Sequence, residues 1–202
     1  MNSLIKLSII IITPFLIGLI VSDKRDSETQ NLYHSNKYEA NPEYLDGPLT
    51  GGFGELTCHS CHFDYDLNMT DRGSLTVDGL NEFYIPGHTY ELKVTIQSEQ
   101  LEKGGFQMTS RFEDGSQAGS FNWDGDRLMF TPSIDSDVQY IQHSRNGTSV
   151  TNPRTVEWTF NWTAPKSDRP VQFNIAANAG NDDDSAFGDW IYTREIQLNA
   201  EN

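Results

Sequence analysis

The chain has two cysteines, and both fall in one five-residue stretch, Cys58-His59-Ser60-Cys61-His62. C-x-x-C-H is the sequence that attaches haem covalently in c-type cytochromes. Two thiols three positions apart can reach the two vinyl groups of one porphyrin, and the next residue then offers its imidazole to the iron. Cys58 and Cys61 are therefore the candidate attachment residues for haem c, and His62 is the candidate proximal iron ligand. Three other chemistries compete for the same residues. A Cys58–Cys61 disulfide suits an oxidising compartment. A thioredoxin-like redox pair needs a βα unit behind it, and none is visible. Zinc needs two more ligands from scattered histidines, and the spacing of a finger is absent.

A second axial ligand has to come from elsewhere. His143 is the first candidate for a distal iron ligand, since it shares strand phase with Ile141 and both are expected to face inward. A hydrogen bond within the fold is its competing role. His59 is expected to face solvent, His88 to be exposed after a tight turn, and His34 to lie in a linker. Met69 could fold back onto the motif, Met108 shares the phase of Phe106 and belongs to the core, and Met129 is undecided. An open sixth position would favour small-ligand sensing or peroxidase-like side reactions over electron transfer. Phe53, Phe63 and Tyr65 flank the motif and either wall a porphyrin from water or pin the loop to a sheet.

The densest acidic run is Asn181-Asp182-Asp183-Asp184-Ser185, with Asp189 close behind. Its carboxylates are of the type that binds Ca²⁺, but the spacing of an EF-hand is missing and a solvated turn is the simpler reading. No phosphate loop, nucleophile elbow or distinct catalytic pair stands out. An electron carrier or binding protein is expected, not an enzyme.

The elements that must hold these residues read as strands. Leu92, Val94 and Ile96 alternate with polar neighbours, as do Val156, Trp158, Phe160 and Trp162, then Val171, Phe173 and Ile175, then Trp190, Tyr192, Ile196 and Leu198. Period two buries one face and wets the other. Weaker strands fit Ser74–Asp78, Phe106–Phe112, Arg127–Phe130 and Val138–His143. Turn chemistry separates them, as at Pro86-Gly87, where a type II turn needs positive φ at its second central residue. Seven to nine short antiparallel strands at these spacings predict an all-β, immunoglobulin-like sandwich. The motif lies in a Gly-rich loop at its N-terminal end, unlike the helical setting of a small cytochrome c.

Residues 1–22 combine Lys6 with an apolar run from Ile9 to Val21, the pattern of a signal peptide or, if uncleaved, an N-terminal anchor. Residues 23–44 read as a polar linker, and 45–199 as the sandwich with its C-x-x-C-H loop. A periplasmic, cell-surface or secreted location is expected, with membrane contact only through an uncleaved leader. The formal charge of −15 disfavours nucleic acid and anionic membranes, both of which need clustered Lys and Arg. It suits a redox partner protein with a basic docking face.

Six ordered motifs also carry a family resemblance. They are the Gly-rich stretch Gly51–His62, Pro86-Gly87-His88-Thr89-Tyr90, Gly105-Phe106-Gln107, His143-Ser144, Trp158–Pro165 and Ala176–Gly180. From about residue 45 to residue 198 the chain resembles bacterial Reeler-type domains, the exported sandwich group also termed choice-of-anchor V. The resemblance implies a Reeler-type sandwich and, through the C-x-x-C-H loop, covalent haem. Eukaryotic relatives of the domain lack that loop and are associated with extracellular matrix or membrane reductase proteins. Two functions follow as expectations. The first is an exported monohaem c-type cytochrome-like protein passing single electrons in the envelope. The alternative is an extracellular binding or adhesion module in which Cys58–Cys61 is a structural disulfide or the haem is structural.

Overall fold

The computed structural model describes residues 47–131 and 137–201. The expected leader over 1–22 and linker over 23–44 lie outside the described residues. The strands are β1 (Gly73–Asp78), β2 (Phe83–Tyr84), β3 (Thr89–Ser98), β4 (Lys103–Arg111), β5 (Ser120–Asn122), β6 (Leu128–Phe130), β7 (Ile141–His143), β8 (Thr155–Thr163), β9 (Val171–Gly180) and β10 (Trp190–Ala200). They form a four-stranded sheet, β1-β3-β8-β5, and a six-stranded sheet, β2-β10-β9-β4-β7-β6. No α-helix occurs among the described residues. The described residues form an all-β sandwich.

The count is ten strands among the described residues, above the seven to nine expected. The two that sequence missed, β2 and β5, are two and three residues long, too short to display an alternation. One pairing also departs from the expected antiparallel pattern: β2 runs parallel to β10, with Phe83 opposite Asn199. Further along, β9 continues five residues past Ile175, through small Ala residues that leave no bulky period to read.

The inner faces close on aromatic side chains. Trp158, Trp162, Phe106, Phe160 and Phe173 are essentially fully buried. Phe106 packs on Trp158 with ring centroids 4.6 Å apart, and Trp162 meets Phe173 at 4.8 Å. The indoles of Trp158 and Trp162 find acceptors: Trp158 Nε1 donates to Gly147 O at 2.9 Å, and Trp162 Nε1 to Ala118 O at 3.1 Å. Each therefore fills core volume without leaving its polar atom unpaired. Gly87 has φ 76°, and His88 N donates to Ile85 O at 3.0 Å, which closes the turn expected at Pro86-Gly87.

Alternation along β4 sends Phe106 and Met108 inward and Gly105, Gln107, Thr109 and Arg111 to the opposite face of the six-stranded sheet. Register partners share a face, so Asn178 (opposite Gly105) and Asn174 (opposite Thr109) join them. This outer face was expected to be wet. Instead Gln107, Arg111 and Asn174 are buried, because residues 47–68 run across them.

Candidate functional site

The crossing segment is fixed to the outer face at successive points. Leu49 N donates to Gln107 Oε1 at 2.5 Å, and Gln107 Nε2 donates to Gly47 O at 3.0 Å and to Thr131 Oγ1 at 2.8 Å. Next, Gly52 lies flat on Asn174; a Cβ there would stand 2.2 Å from Asn174 Oδ1, so only glycine fits. Glu55 then forms a buried knot. Its Oε1 accepts from Arg111 Nη1 at 2.6 Å and from Tyr140 OH at 2.7 Å, while Oε2 accepts from Thr50 Oγ1 at 2.5 Å. Phe53 covers the Arg111 guanidinium at 4.2 Å. Burial first, and then the bond to Glu55, push the Tyr140 phenol well above its ordinary range, so it stays a donor.

These anchors deliver the chain to the motif. Cys58–Ser60 form one 3₁₀ turn, a tighter geometry than the plain loop expected. Thr57 caps it, its Oγ1 accepting from His59 N at 3.2 Å. Cys61 N and His62 N both donate to Cys58 O, at 3.2 and 3.0 Å, which turns the chain back so that the two cysteines bracket a single turn. Both cysteines are free thiols, Cys58 half-buried and Cys61 exposed. Burial is the main reason the Cys58 thiol is pushed up to about 11, so it is protonated near neutrality. A redox-active C-x-x-C pair relies on the opposite, a lowered thiol pKa.

His62 is held by two residues of the sheet. Its Nδ1 lies 2.7 Å from Oδ2 of Asp189, a carboxylate that is itself buried. Ionised, that carboxylate can only accept, so Nδ1 carries the hydrogen. Asn178 Nδ2 also donates to Asp189 Oδ2, at 3.2 Å, and Asn181 N donates to Asp189 Oδ1 at 3.1 Å. The same Asn178 nitrogen is 3.3 and 3.5 Å from the two ring nitrogens of His62, too near both to lie in line with the lone pair of either. About 28% of the His62 side chain stays exposed, enough for the ring to be approached from solvent. Beyond His62, Asp64 Oδ2 accepts from Gly188 N at 3.1 Å. Asn68 lies along β10 ahead of its pairing with β2, its N donating to Ile191 O and its Oδ1 accepting from Thr193 N.

Two of the three flanking aromatics take the pinning role foreseen. Phe53 lies on Arg111 and Tyr65 meets Trp190 edge-on at 5.8 Å, so both pin the segment. Phe63 is 59% exposed and meets a second exposed ring, Phe187, edge-on at 6.0 Å. Leu56, just before the motif, is also exposed. Unprotected apolar side chains therefore border the thiols.

Other histidines and methionines fall as follows. His59, expected in solvent, is half-buried and bonds Tyr65 O through Nε2 at 2.8 Å, closing the loop on itself. His88 is exposed, against Tyr90. Met108 is core, and Met69 is half-buried, its backbone O accepting from Tyr192 OH. His143 does not follow Ile141 fully inward. Half-buried, it sets Nδ1 3.0 Å from the backbone N and O of Phe106, with its ring over Gly105 where a Cβ would meet Cε1 at 2.8 Å. Burial lowers its pKa and keeps it neutral. Gly105, which the His143 ring covers, is the register partner of Asn178, which contacts His62.

The residues that sequence did not single out for this site are Asp189, Asn178 and the Glu55–Arg111 pair. Asp189 looked like the tail of an acidic run. Its neighbours Asp182, Asp183 and Asp184 are exposed, as a solvated turn requires. Among the described residues no three His, Cys, Asp or Glu side chains converge to hold a metal ion.

No protein-family model matches the chain, and no curated protein matches it. Solved structures do share its outline. It is similar to the Reelin-N domain of F-spondin, at 21% identity over 65% of this chain and 87% of that one, with a TM-score of 0.44. A human F-spondin reeler domain is similar at 18% identity, over 63% and 89%, with a TM-score of 0.42. A cohesin module of a family 33 glycoside hydrolase from Clostridium perfringens is similar at 16% identity, over 64% and 98%, with a TM-score of 0.40. At these identities and scores the likenesses say nothing about activity, ligand or partner. The sandwich rests on its own strand pairings.

Proposed function

We propose that this chain is an exported, Reeler-like sandwich carrying one covalently attached haem c, and that it passes single electrons to a protein partner in the cell envelope or outside it. The observation that carries the reading is the C-x-x-C-H turn. Two free thiols bracket one 3₁₀ turn, and the following histidine is fixed through Nδ1, the nitrogen a ligand does not use if it binds iron through Nε2. A haem iron takes four ligands from the porphyrin, so the protein need supply only axial ones, and the lack of a three-residue metal cluster does not count against it.

Cys58 and Cys61 would hold the group as thioethers, and His62 Nε2 would be its proximal ligand. Exposed Leu56, Phe63 and Phe187 would cover its apolar faces and keep water from its edge. His143 is the candidate for the distal position through Nε2, since its Nδ1 is tied to Phe106. Bound haem supplies a one-electron Fe(III)/Fe(II) couple. The sandwich contributes rigidity: the outer-face anchors hold the turn in one place, which keeps reorganisation small. Exposed Asp64, Asp66, Asp182, Asp183 and Asp184 favour a partner with a basic docking face, whose association rate falls as salt rises.

The test is expression in a host able to attach haem c, followed by denaturation and a pyridine haemochrome spectrum. A c-type spectrum, abolished by replacing both cysteines, supports the proposal. A colourless protein from that host overturns it. The His143→Ala spectrum reads the distal ligand: low-spin bands that turn high-spin assign it, and unchanged bands remove it.

A further inference from the structure

The proposed proximal ligand is attached to the sheet by one buried carboxylate. Asp189 is about 4% exposed, yet each of its oxygens has a partner: Oδ2 takes His62 Nδ1 at 2.7 Å and Asn178 Nδ2 at 3.2 Å, and Oδ1 takes Asn181 N at 3.1 Å. A buried carboxylate is costly unless it is hydrogen-bonded on all sides, so this degree of pairing around one side chain fixes its position. Asn178 adds a sign of how tightly the geometry is set. With Nδ2 directed at Asp189, its Oδ1 is buried with no partner, a cost the fold bears while keeping the amide in that orientation.

We infer that Asp189 is a positioning residue that holds His62 as the Nδ1–H tautomer, directs Nε2 toward iron, and sets a low midpoint potential through its charge. The inference rests on the haem reading above. A carboxylate on the Nδ1 hydrogen raises the donor strength of a ligating imidazole, and it stabilises the more positive iron state over the reduced one. The device belongs to the last two strands, with Asn178 on β9 and Asp189 one residue before β10. A helix-borne cytochrome has no such sheet to supply it.

The test compares the haem-loaded wild type with Asp189→Asn and Asn178→Ala. Asp189→Asn keeps an acceptor for Nδ1 and removes the charge. Its expected effect is a rise in midpoint potential equivalent to at least a tenfold change in the one-electron reduction equilibrium, about 59 mV. Asn178→Ala leaves the charge and should shift the potential less. An unchanged potential in Asp189→Asn, or an equal or larger shift in Asn178→Ala, overturns the inference while leaving haem attachment standing. A wild type that takes no haem overturns the function, and this inference with it. Long-range ¹H–¹⁵N spectra of the haem-free wild type, recorded above the histidine titration range, give a readout that needs no variant to fold. Hydrogen on Nδ1 of His62 supports the tautomer; hydrogen on Nε2 overturns it.

Discussion

The two faces of the six-stranded sheet are built on opposite rules. The inner face is apolar and interchangeable in principle: Phe106, Met108, Phe173 and Ile175 fill space against Trp158 and Trp162. The outer face is buried as well, but by hydrogen-bonding side chains. Gln107, Gln142, Arg111, Asn174 and Asp189 each lie under the segment 47–68 or beside it and meet named partners. Apolar packing gives stability without direction, whereas paired polar groups accept one geometry only. The core thus holds the sandwich together, and the outer face decides where the C-x-x-C-H turn sits.

That contrast can be broken from either side. Trp162→Ala removes a fully buried ring and should cost about 3–5 kcal/mol of global stability, read by denaturant unfolding. Glu55→Ala leaves Arg111 buried without its carboxylate and should cost about 3 kcal/mol. Its loss should register first as proteolysis within 47–68, with the strands still protected; simultaneous loss of both would erase the distinction between faces. Gln107→Ala removes bonds to Leu49, Gly47, Thr131 and Gln142, and should cost about 1–3 kcal/mol. Hydrogen exchange at the Leu49 amide should rise sharply while the Ile175 amide stays slow. Smallest is an exposed control. Bonds from the Ser116 hydroxyl and amide, and then from Arg169, hold the Asp114 carboxyl at about 2. A lowered acid pKa adds stability above the unfolded value, near 3.9, and that contribution fades as pH falls toward 2. A carboxyl titration by NMR checks it, and Asp114→Asn should flatten that acid-side slope without touching the motif.

Sequence made the inner face legible because period two is a statement about bulk. Trp158, Phe160 and Trp162 alternate with Glu157, Thr159 and Asn161, and all three aromatics are buried. The same rule misled on the other phase. Asn174 alternates with Phe173 and Ile175, which reads as a wet face, yet Gly52 lies on it. Nothing in an alternation reports that a distant loop will cover the polar side. The motif stood out for a different reason, since its pattern is contained in five consecutive residues. Its support was not: Asp189 differs from Asp182, Asp183 and Asp184 only in what it touches. Two signals bear on that burial from nearby, Trp190 directly after it and the strand phase that Asp189 shares with Ile191, and both were available in the chain. Neither identifies His62 as the partner.

The histidine and its Asn178 contact stand 116 positions apart along the polypeptide. Ribosomes deliver a chain from its N-terminus, so the thiol pair emerges long before the strands that will immobilise the neighbouring imidazole. Until β9 and β10 have paired, Asn178 and Asp189 are not in place to hold His62. The histidine is therefore the first of these partners to be synthesised and the last to be fixed in place.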